Sequence, residues 1–248
     1  MRSVAIFLSA LSIWGAVLVA PPVANALMVT ADFSAPPLVA GRMWVASYTT
    51  NHVTAEAYYL NGTSYVNRDA AGALNTFLMV RNTVGDRGFG VCSASELGNS
   101  ACNPPGTYTD GGGEINELGN RQGAVELIRL KIDDGWDWKT VYVSSLDSSE
   151  KGELRWSNSD VLTQTSVSTA ALVVPAFIAG GASVEFAFPV TGAAAGAKYL
   201  YFIPGPAGTD NDYLVWKADV ERVPEPGTLL LLGSALGGIV AANLRRPR

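Results

Sequence analysis

SVEFAFPV, residues Ser183 to Val190, alternates without a break: Val184, Phe186, Phe188 and Val190 fall on one side of an extended chain. YLVWKADV, residues Tyr213 to Val220, does the same, with Leu214, Trp216, Ala218 and Val220 on one side and Lys217 and Asp219 on the other. A period of two built from β-branched and aromatic residues marks half-buried β-strands. Shorter stretches follow the same rule at Met43–Thr49, Thr54–Leu60, Thr76–Arg81, Thr140–Ser145, Glu153–Trp156 and Tyr199–Ile203. Ala124 to Ile132 changes phase midway, since Val125 and Leu127 fit one face and Ile128, Leu130 and Ile132 the other; a bulge would reconcile them.

Turn residues separate these runs, as at Asn103-Pro104-Pro105-Gly106, Gly111-Gly112-Gly113 and Gly205-Pro206. No stretch carries an amphipathic helix of three turns. Val167 to Ala179 is apolar, but Pro175 and the β-branched residues favour strand and loop. Many short strands between turn signals predict an all-β fold, an antiparallel β-sandwich of jelly-roll type, over residues 27–222.

Both ends of the chain read differently. Arg2 precedes 16 uncharged residues, Val4 to Val19; Pro21-Pro22 follows, then Ala24-Asn25-Ala26. A short basic start, an apolar stretch and an A-x-A site make a signal peptide over residues 1–26, cut after Ala26. At the other end Gly227 to Leu244 is 18 residues without a charge. As a helix it spans roughly 27 Å, the thickness of a bilayer core. Arg245, Arg246 and Arg248 follow at once and would hold that end in the cytoplasm as a stop-transfer signal. Residues 27–222 are thereby expected outside the inner membrane.

That segment has 13 basic and 21 acidic residues, a net charge of −8. It lacks the basic footprint of a nucleic-acid binder. Cys92 and Cys102, the two cysteines of the chain, enclose nine residues in an oxidising compartment and are expected to pair.

The last 26 residues carry a resemblance. Val223-Pro224-Glu225-Pro226-Gly227, an apolar helix and an arginine cluster stand in order at the C-terminus. This constellation resembles the PEP-CTERM sorting signal of Gram-negative bacteria. The two prolines keep the segment extended and reachable. The resemblance implies that exosortase, a membrane-embedded enzyme, recognises residues 223–248 and processes them near the Pro-Glu-Pro. The product would then go to the cell surface or extracellular matrix. Gly88-Phe89-Gly90-Val91, Gly113-Glu114-Ile115-Asn116-Glu117, Glu126-Leu127 and Leu146-Asp147 are similar to the cargo of many such proteins. That second resemblance supports the β-sandwich and implies no reaction.

Little in the cargo points to catalysis. His52 is the single histidine, and neither G-x-S-x-G nor H-E-x-x-H occurs. The expectation is a non-enzyme without a cofactor. Asp110, Glu114 and Glu117 in a glycine-rich loop are oxygen ligands of a kind calcium would suit, and Asp133, Asp134 and Asp137 form a second acidic loop. The plainer reading of each is a solvated turn. Trp136 and Trp138 share one strand face and would either stack on a sugar ring or fill the core. The reading is a structural or binding component of the envelope or exopolysaccharide. A carbohydrate-binding, lectin-like module comes second, and a carboxylate-based glycoside hydrolase third.

Overall fold

The computed structural model describes residues 26–34, 45–83, 86–93, 115–116, 125–146, 151–178, 184–204, 212–223 and 233. Ala24 of the signal peptidase site, Cys102, Asp110, Glu114, Glu117, residues 224–227 and Arg245, Arg246 and Arg248 lie outside them. So does most of the apolar stretch 227–244. Among the described residues no helix is long and apolar enough to cross a membrane.

Fourteen strands run through these residues: β1 Met28–Asp32, β2 Ser47–Thr50, β3 Val53–Asn61, β4 Ser64–Val66, β5 Phe77–Thr83, β6 Asp86–Cys92, β7 Ile115–Asn116, β8 Glu126–Ile132, β9 Trp136–Leu146, β10 Lys151–Ser157, β11 Ala171–Ile178, β12 Val184–Pro189, β13 Tyr199–Pro204 and β14 Asp212–Arg222. All pair antiparallel, in two sheets. The first has the order β12-β9-β14-β6-β5, and the second β11-β10-β13-β8-β3-β2, with β4 beside β3. β14 runs along β9 on one edge. Its other edge is shared by β7 at Asp212 and Tyr213, β6 at Val215 and β1 from Lys217 to Glu221.

The two sheets enclose one core. Phe89, Val91, Trp138, Val141, Val143, Val215 and Ala218 from the first meet Val53, Ala55, Ile128, Leu130, Leu154, Leu200 and Phe202 from the second. Burial on both faces explains the phase change in β8. Ile128, Leu130 and Ile132 point into this core, while Leu127 turns outward to Tyr58, Tyr65, Val167, Tyr199 and Tyr201. The register of β8 against β3 and β13 is unbroken, so the bulge expected there does not occur.

Register shifts lie in β9, β11 and β14 instead. Val215 opposes Val143 and Lys217 opposes Tyr142, leaving Trp216 as the extra residue on β14. Inward positions are therefore Tyr213 and Val215 before the bulge, and Ala218 and Val220 after it. The single face expected for Leu214, Trp216, Ala218 and Val220 is corrected: an inserted residue reverses the alternation. β12 follows its pattern, with Phe186 and Phe188 partly buried and Val190 buried.

Pro175 sits within β11, which pairs only with β10 in the sheet order. An outermost strand tolerates the missing donor. One short helix, α1 Gln164–Ser168, precedes it. Thr163 and Ser166 exchange side-chain bonds to each other's backbone N–H, at 3.1 and 2.9 Å, a capping box that starts the helix. Its Val167 covers the outer face of the second sheet.

That outer face is organised by Arg129. Its Nε donates to Glu56 at 2.7 Å, Nη2 to the Tyr58 hydroxyl at 2.9 Å and Nη1 to Asp160. The guanidinium lies 5.2 Å from the Tyr58 ring centre and 4.8 Å from that of Tyr199. A buried cation with three hydrogen-bonded partners and two ring faces is a structural device, and it fastens Asp160 and the residues after β10 to the sheet.

Candidate functional site

β14 delivers the chain to one end of the fold, where a cleft of about 430 Å³ opens between the β8–β9 turn, the residues before β13 and Val223. Asp133, Asp134, Trp136, Asp137, Asn158 and Lys198 supply its chemistry. Gly135 permits the tight β8–β9 turn, with φ of +80°.

Two turns lock together here. Asn51 and His52 form the two-residue link from β2 to β3, both in the left-handed region at φ of 41° and 69°, as such a hairpin requires. The His52 carbonyl accepts from Asp133 N–H at 2.9 Å, and its Nδ1 lies 3.1 Å from Asp133 Oδ2. The imidazole stacks on Trp136, with ring centres 4.1 Å apart and planes 19° from parallel. His52 thus braces Trp136. Across the cleft Lys198 pairs with Asp134, and this hydrogen bond holds the Asp134 carboxyl below its usual range. Asn158 Oδ1 accepts from the Lys198 backbone N–H at 2.8 Å.

The two tryptophans part company. Both turn to the core side of β9. Trp138 lies one step deeper and is fully buried, with its indole N–H donating to the Ala197 carbonyl at 2.7 Å. A ring enclosed in this way offers no face to a sugar, so Trp138 fills the core and a platform of Trp136 and Trp138 together is corrected; Trp136 packs against the core and is partly exposed beside the cleft. Of the second acidic loop, Asp133 is engaged by His52 and Asp134 by Lys198, which leaves Asp137 facing Gly196. Sequence could not reveal this neighbourhood, because His52, Asn158 and Lys198 come from separate connections.

Other expected positions fall as follows. Ala26 is exposed just before β1. Cys92 ends β6, is fully buried against Met79 and is not a free thiol. No group of three or more His, Cys, Asp or Glu side chains suited to a metal ion occurs among the described residues.

The tail begins where the fold ends. Arg222 N–H donates to the Leu27 carbonyl at 2.9 Å, and Val223 N–H donates to the Gly135 carbonyl at 2.9 Å. The first residue of Val223-Pro224-Glu225-Pro226 is therefore tied to the domain by its backbone. No curated protein matches the chain. Residues 222–246 match the PEP-CTERM protein-sorting motif, so this chain carries that sorting motif beginning on Arg222, the last residue of β14.

Proposed function

We propose that this is an exported surface or extracellular-matrix protein. Its signal peptide is removed after Ala26, its tail is processed by exosortase, and its β-domain has a structural or binding role in the envelope or exopolysaccharide of a Gram-negative bacterium. The observation that carries the reading is the match at residues 222–246, beginning on the last residue of β14. The membrane helix is residues 227–244, with Arg245, Arg246 and Arg248 as its stop. The partners are exosortase and, transiently, the inner membrane. The domain needs no cofactor and performs no reaction of its own.

Strand order supports a jelly roll within the fold. β6-β14-β9-β12 and β8-β13-β10-β11 are four-stranded runs within the two sheets, and each successive strand of these eight crosses to the other sheet except from β10 to β11. Cys92 pairs with Cys102 in this reading, closing the loop that follows β6.

The test is the chemical end of the product. Protein from the surface fraction of producing cells should begin at Leu27 and end between Pro224 and Gly227 by intact mass. Pro224→Ala with Pro226→Ala should leave it in the inner membrane with its tail attached. A surface product that keeps Arg248 would overturn the reading.

A second reading, a carbohydrate-binding module, is favoured by Trp136, whose ring borders a cleft lined by carboxylates and an amide. Loss of glycan binding in Trp136→Ala at unchanged melting temperature would support it.

A further inference from the structure

On the outer face of the first sheet the bulge in β14 turns two neighbours, Trp216 and Lys217, to the same side. In a regular strand they would point oppositely. The Lys217 ammonium lies 4.1 Å from the Trp216 ring centre and 4.3 Å from that of Tyr142 on β9. From β6, the Arg87 guanidinium carbon comes within 5.9 Å of the Trp216 ring centre. Three adjacent strands thus present a row: Arg87, Trp216, Lys217, Tyr142.

This row has unmet hydrogen-bonding capacity. Arg87 Nε and Trp216 Nε1 are both buried and lack a hydrogen-bond partner among the described residues. Buried donors are ordinarily paired, and an orphan calls for a missing acceptor. Neither Arg87 nor Lys217 forms an ion pair among the described residues. Two carboxylates on neighbouring positions are already engaged. Asp219 accepts from the Thr30 hydroxyl at 2.6 Å and from the Tyr142 hydroxyl at 2.7 Å. Asp32, opposite Lys217 on β1, accepts from Ser34 N–H at 2.8 Å and its hydroxyl at 2.7 Å. Two cations and two donors left unpaired on one face among the described residues favour an anionic oxygen ligand there, although the exported segment as a whole is acidic.

We propose that this face binds an acidic polysaccharide through its sugar carboxylates, with Arg87 and Lys217 as the charged contacts and the Trp216 indole N–H as a neutral one. The inference deepens the exopolysaccharide reading above and rests on it. A polymer suits the row because the residues line up across the strands and Trp216 and Tyr142 add ring surfaces between the cations. Arg87 and Lys217, being long and flexible, are the groups that shift when the ligand enters.

The test is affinity electrophoresis of the processed protein purified from its producing cells, through gels holding alginate, a polyuronate, or neutral dextran. Alginate should retard it and dextran should not, and added salt should weaken the retardation. Arg87→Gln and Lys217→Gln should each lower the affinity for alginate by about tenfold, as loss of a charge-assisted contact does. Trp216→Phe keeps a ring, loses the donor and should weaken binding by about threefold. Near-UV circular dichroism confirms that each variant is folded. Equal retardation by both polymers, retardation by neither, or full alginate binding by the folded charge variants overturns the proposal. Tail processing and surface fractionation are scored separately, so a correctly sorted protein that ignores alginate refutes this site and leaves the sorting assignment standing.

Discussion

The backbone N–H of Val223 donates to the Gly135 carbonyl, 2.9 Å away, so the folded domain and the sorting tail meet without a spacer. A cut after Val223 should remove nothing the domain needs. A chain ending there should melt within a few degrees of the surface-purified protein. A chain ending at Val215 lacks the half of β14 that pairs with β1 and should not fold, as circular dichroism would show.

Gly88 should resist substitution. Its φ is +123°, and an added Cβ would lie 2.3 Å from the Val215 carbonyl oxygen. Both the backbone geometry and the space are closed to a side chain. Gly88→Ala should cost about 2–4 kcal/mol by chemical denaturation, since strain and overpacking add. A loss below about 1 kcal/mol, little more than an ordinary surface change, would contradict the close approach of β6 to the bulge.

The two tryptophans of β9 should separate in stability. Trp138 is enclosed and hydrogen-bonded, so Trp138→Ala should cost roughly 3–5 kcal/mol. Trp136→Ala loses its contact with His52 and part of its burial, and should cost about 1–2 kcal/mol. Equal losses would mean that the two rings are equally buried.

Arg129 should be irreplaceable by a neutral residue of similar length. Arg129→Met strands Glu56 and the Tyr58 hydroxyl at a half-buried position, and the expected loss is about 3–5 kcal/mol. A double-mutant cycle with Glu56→Gln should show strong coupling. Additive losses would mean that the pair does not act as a unit.

Alkaline pH should unfold the domain. Burial raises the Tyr58, Tyr201 and Tyr213 hydroxyls above the ordinary value of 10.0. Above that value the unfolded chain releases phenolic protons that the folded one keeps, so stability is full below about pH 10 and falls as pH rises further. Unfolding should coincide with a rise in tyrosinate absorbance. Unchanged stability to about pH 11.5 would contradict the shifts.

Strand positions were legible in the sequence wherever one face of a strand is buried. Phe186, Phe188 and Val190 alternate because β12 is outermost in its sheet and touches the core on one side. The same rule failed for β8, whose two faces are both covered, and for β14, where one inserted residue reversed the phase. Bulges arise from the fit between neighbouring strands, and a single strand's composition does not record them. Trp136 was identifiable as a candidate from its type. Its brace, His52, lies 84 positions away in the chain and becomes a neighbour only through the pairing of β3 with β8. Arg87 and Lys217 went unnoticed because what singles them out is the absence of an ion pair among the described residues, and no local pattern records that.

The place of β14 also sets a timetable for secretion. It is the last strand among the described residues and an interior strand of its sheet, touching β9 on one side and β7, β6 and β1 on the other. Until it arrives, β9 and β1 have no neighbour along those edges and the first sheet cannot close. An exported chain of this design stays threadable for nearly its whole passage. It snaps shut only when the segment just ahead of the sorting motif emerges, so completion of folding and exposure of that motif become one event.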